Sequence, residues 1–147
     1  MHENYRVVLV IKGDQAFFRV PWTPLRLADR HDIALQVPSV AGLFQIFWED
    51  EKKRLHPFAS DTAWYGGVRT KLAEAIDVDH EHDPVRKKIL EDRRLFYRYV
   101  VCESWNDLQD LGCLYTMIEQ PKKTPPASSG RFKTLHLSEN PVVLGFE

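Results

Sequence analysis

Val40-Ala41-Gly42-Leu43-Phe44-Gln45-Ile46-Phe47 and Ala63-Trp64-Tyr65-Gly66-Gly67 are the stretches that decide how this chain folds. Each is an apolar, aromatic run that carries a ring close to a glycine, built from residues that fit a pleated and half-buried surface. Each therefore predicts a buried strand, the first over 38–48 and the second over 62–67. Leu72 and Ile76 lie four apart behind the second, which predicts a short amphipathic helix over about 68–77. Rings and glycines recurring on adjacent strands serve packing as readily as they serve a site.

Outward from this pair, residues 6–12 (Arg-Val-Val-Leu-Val-Ile-Lys) are β-branched and end at Gly13-Asp14, predicting a strand and a hairpin into Phe17-Phe18-Arg19-Val20. Pro21 and Pro24 forbid regular pairing around Trp22, which caps the core. Residues 25–37 suit a helical turn and an extended loop equally. The charged stretch 49–54 reads as a solvated turn, after which Leu55 to Phe58 return toward the core. Asp83-Pro84 supplies an N-cap and a proline at the first helical position. The helix it opens puts Val85, Ile89 and Leu90 on one side and Arg86, Lys87 and Lys88 on the other. Residues 95–102 alternate and hold Phe96, Tyr97 and Tyr99, a strand pattern. Ser104 and Asp107 start a helix in the manner of a capping box, with Asp in place of Glu or Gln. Its apolar face carries Leu108, Leu111, Leu114, Tyr115 and Ile118 as far as about Gln120. Residues 121–130, Pro-rich and polar, are a loop; 131–137 and 142–146 predict a last pair of strands around Asn140-Pro141. The sum is an α+β protein, one domain over residues 1–147, with a small mixed or antiparallel sheet flanked by helices.

The 147 residues suffice for one hydrophobic core. Twenty basic residues stand against twenty-one acidic ones, so the charge excess that drives phosphate binding is missing. Cys102 and Cys113 lack metal-type spacing and fit buried thiols in a reducing cytoplasm. No apolar run reaches the roughly 18–20 residues of a membrane span, and the N-terminus enters a strand without signal architecture. A cytoplasmic location and no membrane partner are expected.

From 38 to about 120 the order β, β, α, α, β, α, with Gly42-Leu43-Phe44 in the first strand and Tyr65-Gly66-Gly67 at the second, resembles the GIY-YIG nuclease family. Residues outside that core are N- and C-terminal strand additions. In that family a tyrosine hydroxyl helps activate water, an arginine on the first helix stabilises the phosphate, and a glutamate on a later helix holds one divalent metal. Carried over residue by residue, Phe44 stands where the first motif has its tyrosine, while Tyr65 keeps the second. The arginine position falls on Ala75, with Arg69 nearer the strand end. The glutamate position falls near Gly112 or Tyr115, with Glu119 later on the same helix. Ser128 or Ser129 stands where an asparagine follows the proline loop. Each lost acid–base or electrostatic group costs on the order of a hundredfold in rate. The resemblance therefore implies a catalytically inactive binding module without a cofactor, taking a protein or nucleic-acid partner through an aromatic-lined cleft at Phe44, Tyr65 and Arg69. It implies further that the ring of Phe44 and the phenol of Tyr65 lie side by side on the floor of one groove. The alternative is a divergent metal-dependent nuclease, with Tyr65, Arg69 and Glu119 catalytic and a divalent ion bound.

Other constellations carry less. Residues 77–83 gather Asp77, Asp79, His80, Glu81, His82 and Asp83, but His80 and His82 alternate and share a face only in an extended segment, so a solvated loop is the better reading and a metal site at His80 and His82 the weaker one. Arg86, Lys87, Lys88, Arg93, Arg94 and Arg98 are interrupted by Glu91 and Asp92 and read as a mixed solvated face. Trp22, Trp48, Trp64, Trp105, Tyr97 and Tyr99 are too many rings for so small a core, so some line a cleft or an interface.

Overall fold

The computed structural model describes residues 2–142. In chain order its elements are β1 (Val8–Lys12), β2 (Gln15–Val20), β3 (Arg26–Leu27), α1 (Arg30–Gln36), β4 (Gly42–Glu49), β5 (Leu55–Ala63), α2 (Gly67–Ala75), α3 (Pro84–Asp92), β6 (Leu95–Val101), α4 (Trp105–Glu119) and β7 (Thr134–Glu139), with short 3-10 turns at His2–Tyr5 and Val78–His80. The fold is α+β. A four-stranded antiparallel sheet has the order β3-β6-β4-β5, and β1-β2-β7 form a second sheet in which β7 runs parallel to β2. The additions β1, β2 and β7 thus pair with one another, while the short β3 extends the central sheet beside β6. The second half of the expected C-terminal strand pair, at 142–146, lies outside the described residues beyond Val142.

Strand alternation builds two cores on the two faces of the central sheet. Phe44 and Ile46 of β4, with Tyr97 and Tyr99 of β6, pack against Ile33 and Val37 at α1 and against Val68 and Leu72 of α2. Leu43 and Val100, one residue along, pack against Leu108, Leu111 and Tyr115 of α4 and against Ala16, Phe18 and Val20 of β2. β6 is buried along its whole length because both of its faces are covered.

The expected helix starts hold. The Asp83 side chain accepts from Arg86 N with Pro84 in the first turn, and the Ser104 side chain accepts from Asp107 N. Residues 25–37 resolve into β3 and α1, whose cap Asp29 accepts from Asp32 N.

One strand boundary is corrected. Leu55 to Phe58 and Thr62 to Ala63 are one strand, carried past Pro57 by a bulge at Phe58, where Ile46 pairs with Ala59 but Phe47 with Pro57. β5 ends at Ala63, so Tyr65 and Gly66 lie in the turn beyond it and not on a strand.

The motif glycines are explained by packing. A β-carbon on Gly42 would overlap the Val100 carbonyl, and one on Gly67, whose φ is +74°, would stand 2.8 Å from the backbone of Ser39 and Val40. That close approach lets Val68 N donate to Val40 O at 2.8 Å, joining the start of α2 to the start of β4.

Candidate functional site

The residues singled out from sequence are not brought together. Phe44 is 4% exposed and its ring belongs to the core beneath α2, whereas Tyr65 is 82% exposed in the turn after β5. The two rings do not pave one groove floor, because strand alternation turns Phe44 inward and the end of β5 leaves Tyr65 in solvent. Arg69, in the first turn of α2, donates from Nε to the Val37 carbonyl at 2.7 Å and so ties α2 to the end of α1. Glu119 closes α4 on the opposite face of the sheet, where Gln45 Nε2 donates to its Oε2 at 3.0 Å. Partial burial holds the Glu119 carboxyl above its ordinary range, against the opposing pull of hydrogen bonds from Ser60 and Gln45. Ala75, where the family's arginine would fall, packs at the margin of the first core. Gly112 lies against Thr62, and Tyr115 is buried with its hydroxyl donating to Glu139.

His80 pairs with Asp77 at 3.6 Å and His82 is exposed. Among the described residues no three His, Cys, Asp or Glu side chains gather in a manner that could hold a metal ion. Burial pushes the Cys102 thiol up to about 12, which leaves it a packing group rather than a nucleophile.

What the fold does gather is a set of exposed rings. Trp64 follows β5 and Trp105 opens α4, and they meet edge to face with centroids 5.3 Å apart and planes at 72°. Trp64 is 37% exposed and Trp105 50%, with the exposed Tyr65 following Trp64 in the turn. Trp22, Tyr97 and Tyr99 are buried, so the surplus of rings read from the sequence divides between core and surface. The pairing of Trp64 with Trp105, some forty residues apart in the chain, had no local signal.

The rings sit at one end of a strand edge. β5 is terminal in its sheet, and Pro57 within it was the available sequence signal, since proline inside a strand marks an edge. A groove of about 430 Å³ is bordered by Phe44 and by Phe58 to Asp61 and is walled by α2, by the Val78–His80 turn and by Arg86 of α3, so Phe44 meets it while Tyr65 does not line it. Its walls carry Asp61, Glu74, Asp77 and Glu81 against Lys71, Arg86 and His80. On the α4 face of the same edge a smaller cavity of about 90 Å³ is lined by Ser60, Thr62, Thr116 and Glu119.

Two members of the expected basic face depart from it. Arg86 donates from Nη1 to the Phe58 carbonyl and from Nε to Glu81, with its guanidinium 4.1 Å over the Phe58 ring. Arg98 is 4% exposed, since its place in β6 turns it onto the α4 face. There its Nε donates to Gln45 Oε1 at 2.8 Å, its Nη2 lies 3.7 Å from Glu139, and its guanidinium covers the Trp22 ring.

A family model described as "Uncharacterised protein" matches residues 6–143, and the chain belongs to that family. No curated protein and no solved structure matches it. No helix among the described residues is long and apolar enough to cross a membrane.

Proposed function

We propose that the protein is a non-catalytic binding module, built on a GIY-YIG-like order of elements, that engages a protein partner through Trp64, Tyr65 and Trp105. The ring cluster carries this reading. Two tryptophans brace each other while the tyrosine that follows the first of them in the chain projects into solvent. Rigid, amphipathic rings of this kind supply contact area at small entropic cost and dominate binding hot spots. The balance of twenty basic and twenty-one acidic residues favours a protein over a phosphate backbone. Arg69 and Glu119 lie across the sheet from one another, which takes support from the nuclease alternative, because a phosphate and its metal need both groups at one point. The run β4-β5-α2-α3-β6-α4 supports the family-like core. Free Cys102 and Cys113 suit the reducing cytoplasm in which we place the protein.

Incubation with mixed DNA and RNA plus magnesium or manganese tests the negative half: no cleavage is expected, and Tyr65→Phe changes nothing. A photo-crosslinker at position 65 tests the positive half. It is expected to trap a protein from the extract of its own cells, and Trp105→Ala to cut the yield about tenfold, the scale of a modest hot spot. Metal-dependent cleavage that disappears in Tyr65→Phe would overturn the reading in favour of the nuclease.

A further inference from the structure

We infer that the open edge of β5 from Ser60 to Thr62 takes an extended, basic segment of a protein partner as an added strand. This rests on the binding-module reading and names what the module binds.

The backbone of β5 settles which groups face outward. Cys102 N donates to Ala41 O and Glu49 N to Arg94 O, so the odd-numbered backbone groups of β4 face β6 and those of Gly42, Phe44 and Ile46 face Ala63, Asp61 and Ala59 of β5. The carbonyl of Phe58 instead accepts from Arg86, and the amide of Thr62 donates to the carboxylate of Asp61 beside it. The even-numbered residues therefore turn their backbone groups away from β4. Native edges are blunted by prolines, bulges and charged side chains. The first half of β5 has all three, in Pro57, the bulge at Phe58 and the Arg86 guanidinium. Among the described residues no strand pairs with the second half, at Ser60 to Thr62.

The two cavities on either side of that half match the geometry of a strand. Successive side chains of an added strand point to opposite faces of the sheet, and pockets for alternate side chains give such pairing its specificity. The 430 Å³ groove lies on the α2 face and the 90 Å³ cavity on the α4 face, both bordered by Ser60, Asp61 and Gln120, so an added strand displaces Gln120 from the edge. Glu81 is held by Arg86 and Asp77 by His80, and the other two carboxylates, Asp61 and Glu74, against Lys71 make the larger groove a seat for lysine or arginine, with Asp61 directly across from such a residue. The smaller cavity, fringed by hydroxyls, suits serine, threonine or alanine. A segment that alternates basic and small residues fits both, and Trp64 and Trp105 give it an apolar anchor at the strand's end.

Fluorescence anisotropy with labelled peptides tests this. The alternating peptide (Lys-Ser)4 is expected to bind at least tenfold more tightly than Lys4Ser4 of the same composition, and than (Glu-Ser)4. N-methylation then separates strand pairing from attraction of side chains. An added strand directs alternate amides at β5, so methylating either all serine amides or all lysine amides abolishes binding while the other set leaves it intact. Loss with the serine set marks antiparallel addition and loss with the lysine set parallel addition; both support the inference. Ser60→Pro removes an outward amide, and with it the Ser60 hydrogen bond to Glu119, without touching the pairing with β4. It is expected to weaken (Lys-Ser)4 at least tenfold with the circular dichroism unchanged, whereas Ser60→Ala, which loses only the bond to Glu119, binds as the parent does. Equal binding of both methylated peptides overturns strand addition and leaves the ring-mediated module standing. Failure of every peptide to bind overturns it also. The nuclease assay and the crosslinking from position 65 judge the parent reading separately.

Discussion

Gly67 and Gly66 adjoin in the same turn, yet they do different things. Both have positive φ, at +74° and +79°, but a β-carbon at Gly67 meets the backbone of Ser39 and Val40 while one at Gly66 meets only the side chain of Thr70. Gly67→Ala adds overpacking to backbone strain and is expected to cost about 3 kcal/mol, read from urea midpoints. Gly66→Ala carries the strain alone and is expected to cost roughly 1 kcal/mol. Equal effects at the two positions would count against packing as the reason for the motif. Glu119 makes a second prediction at this scale. Partial burial raises its pKa in the folded chain despite Ser60 and Gln45, so the folded form holds the proton more tightly than the unfolded form. The stability this gives is complete below the unfolded carboxylate range and is lost as pH rises through the folded pKa. Glu119→Gln keeps an acceptor for Gln45 without a charge. The variant should match the parent in acid and exceed it at neutral pH. A difference that shrinks as pH rises would contradict the burial of that carboxyl.

Elements whose signals are local were legible. Asp83-Pro84 and Ser104 fixed two helix starts because a cap and its target lie within one turn, and β6 announced itself by alternation. The sequence of β5 breaks into two pieces because Pro57 and a bulge interrupt its pattern, and the strand stops short of its aromatic signal because Trp64 and Tyr65 are good strand formers that happen to follow the last paired residue. The parallel pairing of β2 with β7 joins residues more than a hundred positions apart, which no local pattern encodes. The candidate site fared in the same way: exposed rings were anticipated as a surplus, but their meeting at β5 and α4 was not. The proline-rich loop 121–130 is likewise tied from a distance. Buried Asp110 of α4 accepts from Ser129 N at 2.8 Å, from Ser129 Oγ at 2.9 Å and from Arg131 Nη2 at 2.7 Å. Asp110→Ala leaves Arg131 with Asp107 as its remaining carboxylate and is expected to cost on the order of 2–3 kcal/mol. Released at that end, the loop should be cut by trypsin after Lys122 and Lys123 several times faster than in the parent. Unchanged cleavage would mean that Asp110 does not hold the loop.

The molecule as a whole depends on how its two sheets are joined. Between them lies an apolar core interrupted by a charged hub: Arg98 of β6, which reaches Gln45 of β4 and Glu139 of β7. Glu139 also accepts from Tyr115 Oη at 2.7 Å and from Trp22 Nε1 at 3.3 Å, and the Asn140 side chain closes two hydrogen bonds with the backbone of Trp22. Strand, helix and β2–β3 connection thus converge on the end of β7. Desolvation pulls the Arg98 pKa down while Glu139 pushes it up, so the guanidinium is held in place by its partners rather than by water. A buried pair of this kind adds little net stability over apolar packing, but removing one partner is costly because the other keeps its charge. Arg98→Ala is therefore expected to cost about 3–5 kcal/mol at most, with the lower end favoured because Glu139 is partly exposed. The loss should not be spread evenly. Amide hydrogen exchange is expected to lose protection first in β1, β2 and β7, whose tie to the central sheet is cut. β4 and β6, still held between α2 and α4, should keep theirs. Double replacement of Arg98 by Met and Glu139 by Gln leaves neither member of that pair charged and should restore most of the protection in β7. If Arg98→Ala instead lowers protection equally in both sheets, the hub is one support among many and the two sheets unfold as a single unit.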